Sequence, residues 1–514
     1  MKLFSLTTLA VVALVFSLQS QSYQVRWGKT IKQARSNTSY SGLVGTSADA
    51  YYIFSSSTKK STVQTYNWTH RQIDDYELSF DPQYAPYLLL EHLAHTSSTS
   101  LAVFSRKDLK RRTRYTYFST VTEESIEAPQ LIHEAAFEDA DLHPSTRVAK
   151  LKVPQADRIQ CSPDSSLVVF AAQNFTHIDE QEHLVITIKT YDENIAPNWG
   201  TTLKLPYKRY EAGLVRLLIN NRGEVYALLA VDNRRGATPD ASSFLPHRYE
   251  LLKITEDTTL QLTPQLSDTT SIKYADLYLP PGDNQQLVLA GMYTDLDTRG
   301  NLKGAFHLTI DEDFSVASNQ ASAFTAELIK GVTDNTAADA YAGLNDRFTI
   351  QSFFRLSNGD HGFIAEETYT TQEQRIVVPG SKTIFHSDKL LIILFSPNGE
   401  LFKTAYVDKD HASESSGHTS FLAHVIDDQL ILVFNDDKTR AERQELQLYG
   451  RFSAVPTDLV VLNKYLRTIH QQLLFTDESV GAKRFLPRAS YGTPEGLLLY
   501  TRGENNLQCG FVRM

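Results

Sequence analysis

From Leu43 onward the apolar positions fall in short runs of strand length, many of them alternating with polar residues. AYYIFS (Ala50–Ser55), RYTYFST (Arg114–Thr120) and LVITIKTY (Leu184–Tyr191) show that period of two, which places successive side chains on opposite faces of a sheet. Denser runs follow at Leu287–Tyr293, Leu390–Phe395, Leu430–Phe434, Leu446–Tyr449 and Leu497–Thr501. Tight turns separate them: SPDSS (Ser162–Ser166), NNRGE (Asn220–Glu224), LSNGD (Leu356–Asp360) and SPNGE (Ser396–Glu400). Asn-Gly and Pro-Asp pairs supply the backbone angles that a two-strand reversal needs. Groups of such strands recur at intervals of roughly 50–70 residues, the period of propeller blades with long loops. The pattern predicts an all-β chain, a β-propeller of about seven blades within a range of six to eight, built of antiparallel sheets.

Helical periodicity is scarce. Ala321–Lys330 reads as a short helix between blades, and Leu459–Leu474 as two strands around Lys464–Arg467. A strand near Tyr23–Trp27 is expected to close the ring by pairing with the strands near Leu497–Val512, so that residues 23–514 make one domain.

The first residues have another character. Met1-Lys2 is followed by LAVVALVF (Leu9–Phe16) and then by the small, polar SLQSQS (Ser17–Ser22), the layout of a secretory leader cleaved after Ser22. The apolar stretch is shorter than the ~20 residues a spanning helix needs. The expectation is an exported chain, periplasmic or extracellular, with no membrane span after leader removal.

Composition adds three limits. The formal charge of −10 excludes a generally basic, nucleic-acid-binding surface. The 25 Tyr and 26 Phe suit sheet packing and aromatic contacts. Two cysteines, Cys161 and Cys509, leave either a disulfide or two buried thiols open, and they provide no metal set by themselves.

Catalytic strings are absent: there is no G-x-S-x-G, H-E-x-x-H, Walker loop or G-x-G-x-x-G. HIDEQEH (His177–His183) gathers imidazoles and carboxylates on a hairpin tip. TDLDTRGN (Thr294–Asn301) has Arg299 where a calcium loop wants oxygen. Both read as solvated loops. DKDHASESSGH (Asp408–His418), long, polar and rich in small residues, reads as a mobile surface loop, with a cap over a groove as the alternative, and RKDLKRRTR (Arg106–Arg114) reads as a charged hairpin edge. Glu366, Glu367 and Asp436, near strand ends, are the acids a glycoside hydrolase would draw on.

GFIAEETY (Gly362–Tyr369) with LLIILFSPNGELF (Leu390–Phe402), SFLAHVIDDQLILVFNDD (Ser420–Asp437), GMYTDLDTRGNLKGAFHLTID (Gly291–Asp311) and WGKTIK (Trp27–Lys32) resemble a group of uncharacterised exported proteins of Bacteroidota with repetitive all-β chains. The resemblance implies export and a propeller-like fold, and it carries no activity. LFKTAYV (Leu401–Val407) departs from that group, which often places a Trp and a more basic segment there.

The resulting expectation is a non-catalytic binding module for a protein or glycan of the cell envelope, monomeric and without cofactor or metal. Glu366, Tyr369, Asn435, Asp436 and Arg488 are its candidate binding residues. The alternative is an exported polysaccharide hydrolase or lyase on the same scaffold.

Overall fold

The computed structural model describes residues 22–32, 40–46, 50–56, 61–78, 89–96, 100–108, 110–121, 129–136, 159–178, 181–208, 211–232, 247–280, 286–295, 300–333, 343–374, 381–437, 455–481, 483–503 and 506–514. Residues 1–21 of the expected leader and the strand expected at Leu446–Tyr449 lie outside that set. Within it, eight antiparallel sheets form the blades of a β-propeller, one more than the central expectation and inside its range. Blades 1 to 5 take residues 40–78, 89–136, 159–205, 212–262 and 270–323, four strands each. Blade 6 runs Phe348–Arg355, His361–Gln374, Ser381–Phe395 and Leu401–Val407, from the inside outward. Blade 7 runs Phe421–Ile426, Gln429–Asn435, Pro456–Leu462 and Thr468–Thr476.

Blade 8 joins the two ends of the chain. Arg484–Phe485 and Tyr491–Thr493 lie on its inner side, followed by Gly496–Arg502 and Asn506–Arg513. The outermost strand is Val25–Trp27, in register Val25↔Val512, Arg26↔Phe511 and Trp27↔Gly510. The closure expected from the sequence is therefore present. Its fastenings reach both neighbours. Trp27 meets Phe475 of blade 7 edge-on at 4.9 Å, and Gln472 of the same blade exchanges hydrogen bonds with the Tyr23 backbone. His70 of blade 1 bonds the Arg26 carbonyl at 2.7 Å and the Tyr51 hydroxyl at 2.9 Å.

The apolar runs are nearly continuous in the inner blade strands because both sheet faces are covered. All of Pro456–Leu462 is buried. Val460 and Leu462 pack toward blade 6, and Leu459 and Val461 toward blade 8. The period of two survives as a division between neighbours, not between core and solvent. The seam between blades 8 and 1 has the same character, with Leu498, Tyr500 and Phe511 against Leu43, Tyr51 and Ile53.

All four sequence turns lie on one face of the ring. SPDSS, NNRGE and LSNGD join first to second strands, and SPNGE joins third to fourth. In each the fourth residue adopts a left-handed backbone, Ser165 φ 60°, Gly223 φ 83°, Gly359 φ 89° and Gly399 φ 82°, and the first residue bonds across the hairpin mouth, to the fifth in NNRGE, LSNGD and SPNGE and to Leu167, one further on, in SPDSS. The same turn recurs at Asp192–Ala196, Asp311–Ser315 and Asn463–Arg467 with Ile195 (φ 65°), Phe314 (φ 60°) and Leu466 (φ 55°) in fourth place. A bulky residue is costly there. Two features offset the cost. The leading Asp or Asn side chain accepts backbone N–H groups, as Asp192 does from Asn194 (2.9 Å) and Ala196 (2.8 Å). The fourth side chain also plugs the interblade core from below: Phe314 and Leu466 are buried, and Ile195 is packed against the core between blades 2 and 3.

The opposite face holds the longer connections, including helix α1 (Ala326–Thr333). That helix starts later than the expected Ala321–Lys330. Residues up to Ala323 complete the outer strand of blade 5, and Thr325 Oγ1 caps the helix by accepting the Leu328 N–H at 3.2 Å. Leu459–Leu474 forms two strands, as expected. No helix among the described residues is long and apolar enough to cross a membrane.

Candidate functional site

The long-loop face over blades 6 to 8 brings the candidate residues together. The second and third strands of blade 6, 14 and 15 residues long, overrun the seven to nine typical of most other blades and carry polar side chains above the ring. The ladder slips between Glu366 and Thr368, at the bulge where the core ends. Glu366, Ser387 and Lys409 meet there, all fully buried. Lys409 Nζ donates to Glu366 Oε1 at 2.6 Å, to the Ser420 carbonyl at 2.9 Å and to Ser387 Oγ. Ser387 donates its own proton to Glu366 and accepts the Ser420 N–H at 3.0 Å. Burial lowers the Lys409 pKa, and the Glu366 carboxylate opposes that effect.

Chemically this is a latch. A serine beside a lysine invites comparison with a nucleophile and its base. Here both lone pairs of Ser387 are occupied, by Lys409 and the Ser420 N–H, and all three side chains are buried. The latch ties blade 6 to Ser420, the residue that precedes the first strand of blade 7.

Asn435 and Asp436 sit one blade further, at the end of the second strand of blade 7. Asn435 Nδ2 donates to the His418 carbonyl (2.8 Å) and the Phe485 carbonyl (3.0 Å), while its oxygen accepts from Thr457 (3.1 Å). Asp436 Oδ1 accepts the Asp410 N–H at 3.1 Å, and Asp437 Oδ2 takes the Ala412 N–H and His411 Nδ1, each at 3.1 Å. These polar strand ends hold the 408–420 loop down. The loop that the sequence reads as a mobile surface excursion is instead anchored at Asp410, His411 and Ala412.

Tyr369 lies between the His386 ring, stacked at 4.4 Å, and the Arg347 guanidinium, 4.4 Å from its centroid. Its hydroxyl bonds Asp388. Burial, with the charges of Asp410 and Glu367, pushes the Asp388 pKa up to about 6 against the Tyr369 bond. Burial and the Asp388 charge push Tyr369 up to about 12. Arg488 is exposed on the single turn Pro487–Ala489, which packs on the turn Ser416–His418.

Four of the five candidates therefore turn their polar groups largely to internal bonds, and Arg488 alone is open. Sequence reasoning missed Lys409, Ser387 and Asp388. The only signal was a lysine between two aspartates in Asp408–Asp410. Elsewhere, RKDLKRRTR forms the blade 2 hairpin tip as expected, with Lys110, Arg111 and Arg112 exposed. His183 is half-buried on the blade 3 hairpin, while the His177 side chain, Asp179 and residues 296–299 are outside the described set. Among the described residues no group of three or more His, Cys, Asp or Glu is placed to hold a metal. Cys161 and Cys509 are free thiols, not a disulfide. They belong to separate cores, one between blades 2 and 3 and the other between blades 8 and 1.

No family model matches the chain, and no curated protein does. Solved structures similar to it include prolyl oligopeptidase B from Galerina marginata (9% identity, TM-score 0.39), with 90% of this chain covered. The chain spans 55% of that enzyme's length. The β-propeller domain of the Trilobed protease from Pyrococcus furiosus is similar at 10% identity and TM-score 0.36, covering 86% of this chain and 97% of that one. A protein of unknown function from Bacteroides caccae is similar at 12% identity and TM-score 0.25, covering 71% and 93%. The sheet order and the end-to-end pairing in blade 8 establish the architecture from this chain's own strands: an eight-bladed β-propeller.

Proposed function

We propose that this chain is an exported propeller, of the kind resembled in Bacteroidota, that binds a protein or glycan of the cell envelope without catalysis. Residues 1–22 act as its cleaved leader, and the mature domain works as a monomer outside the inner membrane. The long-loop face is the binding face, because the opposite face is closed by tight turns.

One observation carries the non-catalytic reading. The acids and the hydroxyl that chemistry could use are committed to structure: Glu366 and Ser387 to Lys409, Asp436 to the Asp410 backbone. Glycoside hydrolysis requires two carboxyl groups open to substrate across a gap, and fully buried Glu366 is not such a group.

The test uses the full mature domain. It is immobilised against solubilised cell envelope and, separately, applied to a glycan array. A partner retained through washing supports binding. Release of reducing ends from a polysaccharide panel, abolished by Glu366→Gln, would replace this reading with the hydrolase alternative.

A further inference from the structure

One stretch of the long-loop face is strongly cationic in a chain whose formal charge is −10. The short ladder at the inner side of blade 8 pairs Arg484 directly with Arg502. Like charges opposite each other across two strands repel, and the arrangement costs stability. Arg484 and Arg488 are both exposed, and neither makes a side-chain hydrogen bond or ion pair among the described residues. Behind them Lys483 is buried, and its ammonium donates to the Val480 carbonyl at 2.6 Å and Gln508 Oε1 at 3.1 Å. His418 faces the same group from the neighbouring loop. Its pKa is held down to about 4, first by burial and then by the charges of Arg484, His411 and Arg502.

Arg484 and Arg502 thus face each other at the inner, channel-side end of blade 8, and Arg488 follows on the turn that packs against the turn holding His418; among the described residues no carboxylate pairs with Arg484 or Arg488. Guanidinium groups match carboxylate and sulfate oxygens in a two-pronged geometry. Apolar anchors are missing from this place. The exposed large hydrophobic residues among those described all lie on outermost blade strands or, for Tyr465, on a turn of the opposite face. A protein partner would seek such anchors at the centre of its contact, whereas a charged sugar chain needs donors.

We infer that the channel mouth at blade 8 is an anion site, in which Arg484 and Arg488 take the acid groups of a carboxylated or sulfated polysaccharide. This deepens the glycan arm of the proposed function and rests on it.

The experiment is calorimetric titration of the full domain with polygalacturonate, with neutral dextran and with poly-glutamate. Wild type is expected to bind polygalacturonate, more weakly as salt rises from ~50 to ~500 mM, and to leave dextran unbound. Arg484→Ala/Arg488→Ala should weaken polygalacturonate binding at least about tenfold, the scale of one to two charge-assisted bonds. Because Arg484 faces Arg502, the same variant should melt no lower than wild type, which separates lost binding from lost folding. Unchanged affinity in the variant, or a fall in melting temperature that accounts for the loss, overturns the site. Poly-glutamate bound as tightly as polygalacturonate overturns the sugar assignment. Dextran bound in place of polygalacturonate overturns the anion site while leaving a glycan-binding propeller intact.

Discussion

Phe314 offers a sharp test of how the tight face is built. It sits fourth in its turn with φ 60°, is 7% exposed and packs into the core between blades 4 and 5. Two effects act in opposite directions. Removing the ring should cost about 3–5 kcal/mol, the usual loss for a buried Phe reduced to Ala. Alanine keeps a Cβ in the left-handed region and so retains about 1–2 kcal/mol of backbone strain, which glycine does not. Glycine returns roughly 0.5–1 kcal/mol of that through the greater freedom of the unfolded chain. Phe314→Gly should therefore be the more stable of the two variants by about 0.5–1 kcal/mol. This inverts the order expected in a strand, where Ala227→Gly should be destabilising. Urea midpoints of both variants at equal slope give the comparison. If Phe314→Ala equals or exceeds Phe314→Gly, the left-handed residue is not strained and the plug argument fails.

Three further outcomes follow from other parts of the ring. Lys409→Met should destabilise by about 3–5 kcal/mol by leaving Glu366 charged and buried, and Lys409→Met/Glu366→Leu should recover most of it; denaturation of the three proteins checks this, and additive losses would refute the pairing. At blade 8 a Cβ on Gly510 would lie 2.6 Å from Val25 Cγ1 and 2.7 Å from the Trp27 ring. Gly510→Ala should therefore lower the melting temperature, as should deletion of residues 23–29, and an unchanged curve for both would refute closure by that strand. Between blades 5 and 6, His307 Nε2 and His361 Nε2 stand 2.7 Å apart, and burial lowers both pKa values, that of His307 to about 3 with help from the His361 charge. The unfolded chain binds those protons first, so stability should fall as pH drops from about 6.5 toward 3. His361→Phe should flatten that slope in urea midpoints taken at pH 7 and 4.5, and an equal slope would discount the pair.

Much of the architecture is legible in the chain because turn chemistry and strand pattern agree. SPDSS, NNRGE, LSNGD and SPNGE announce themselves through Gly, Pro and Asn. Their three structural equivalents do not, because Ile195, Phe314 and Leu466 stand where glycine is expected, and only the folded core explains them. The blade count falls one short of the observed number because blade 8 is divided between the chain's ends, so that residues 497–512 look like a closing piece. In the site, Glu366, Asn435 and Asp436 are visible as polar residues ending apolar strands. What they do there is invisible, since Lys409 reaches Glu366 across 43 residues and Ser387 across 22.

The blade 8 seam also imposes an order of events. The Gly28 carbonyl takes a bond from Gln508, 480 residues later, so the N-terminal strand of this blade waits for a partner made long after it. Bringing two such distant segments together in a loose chain would cost about 5 kcal/mol of entropy. Intervening blades that have already formed carry the ends toward each other and reduce that cost. Maturation of this ring should therefore be slow and nearly all-or-none at its final step, with an unsealed edge exposed to proteases until then.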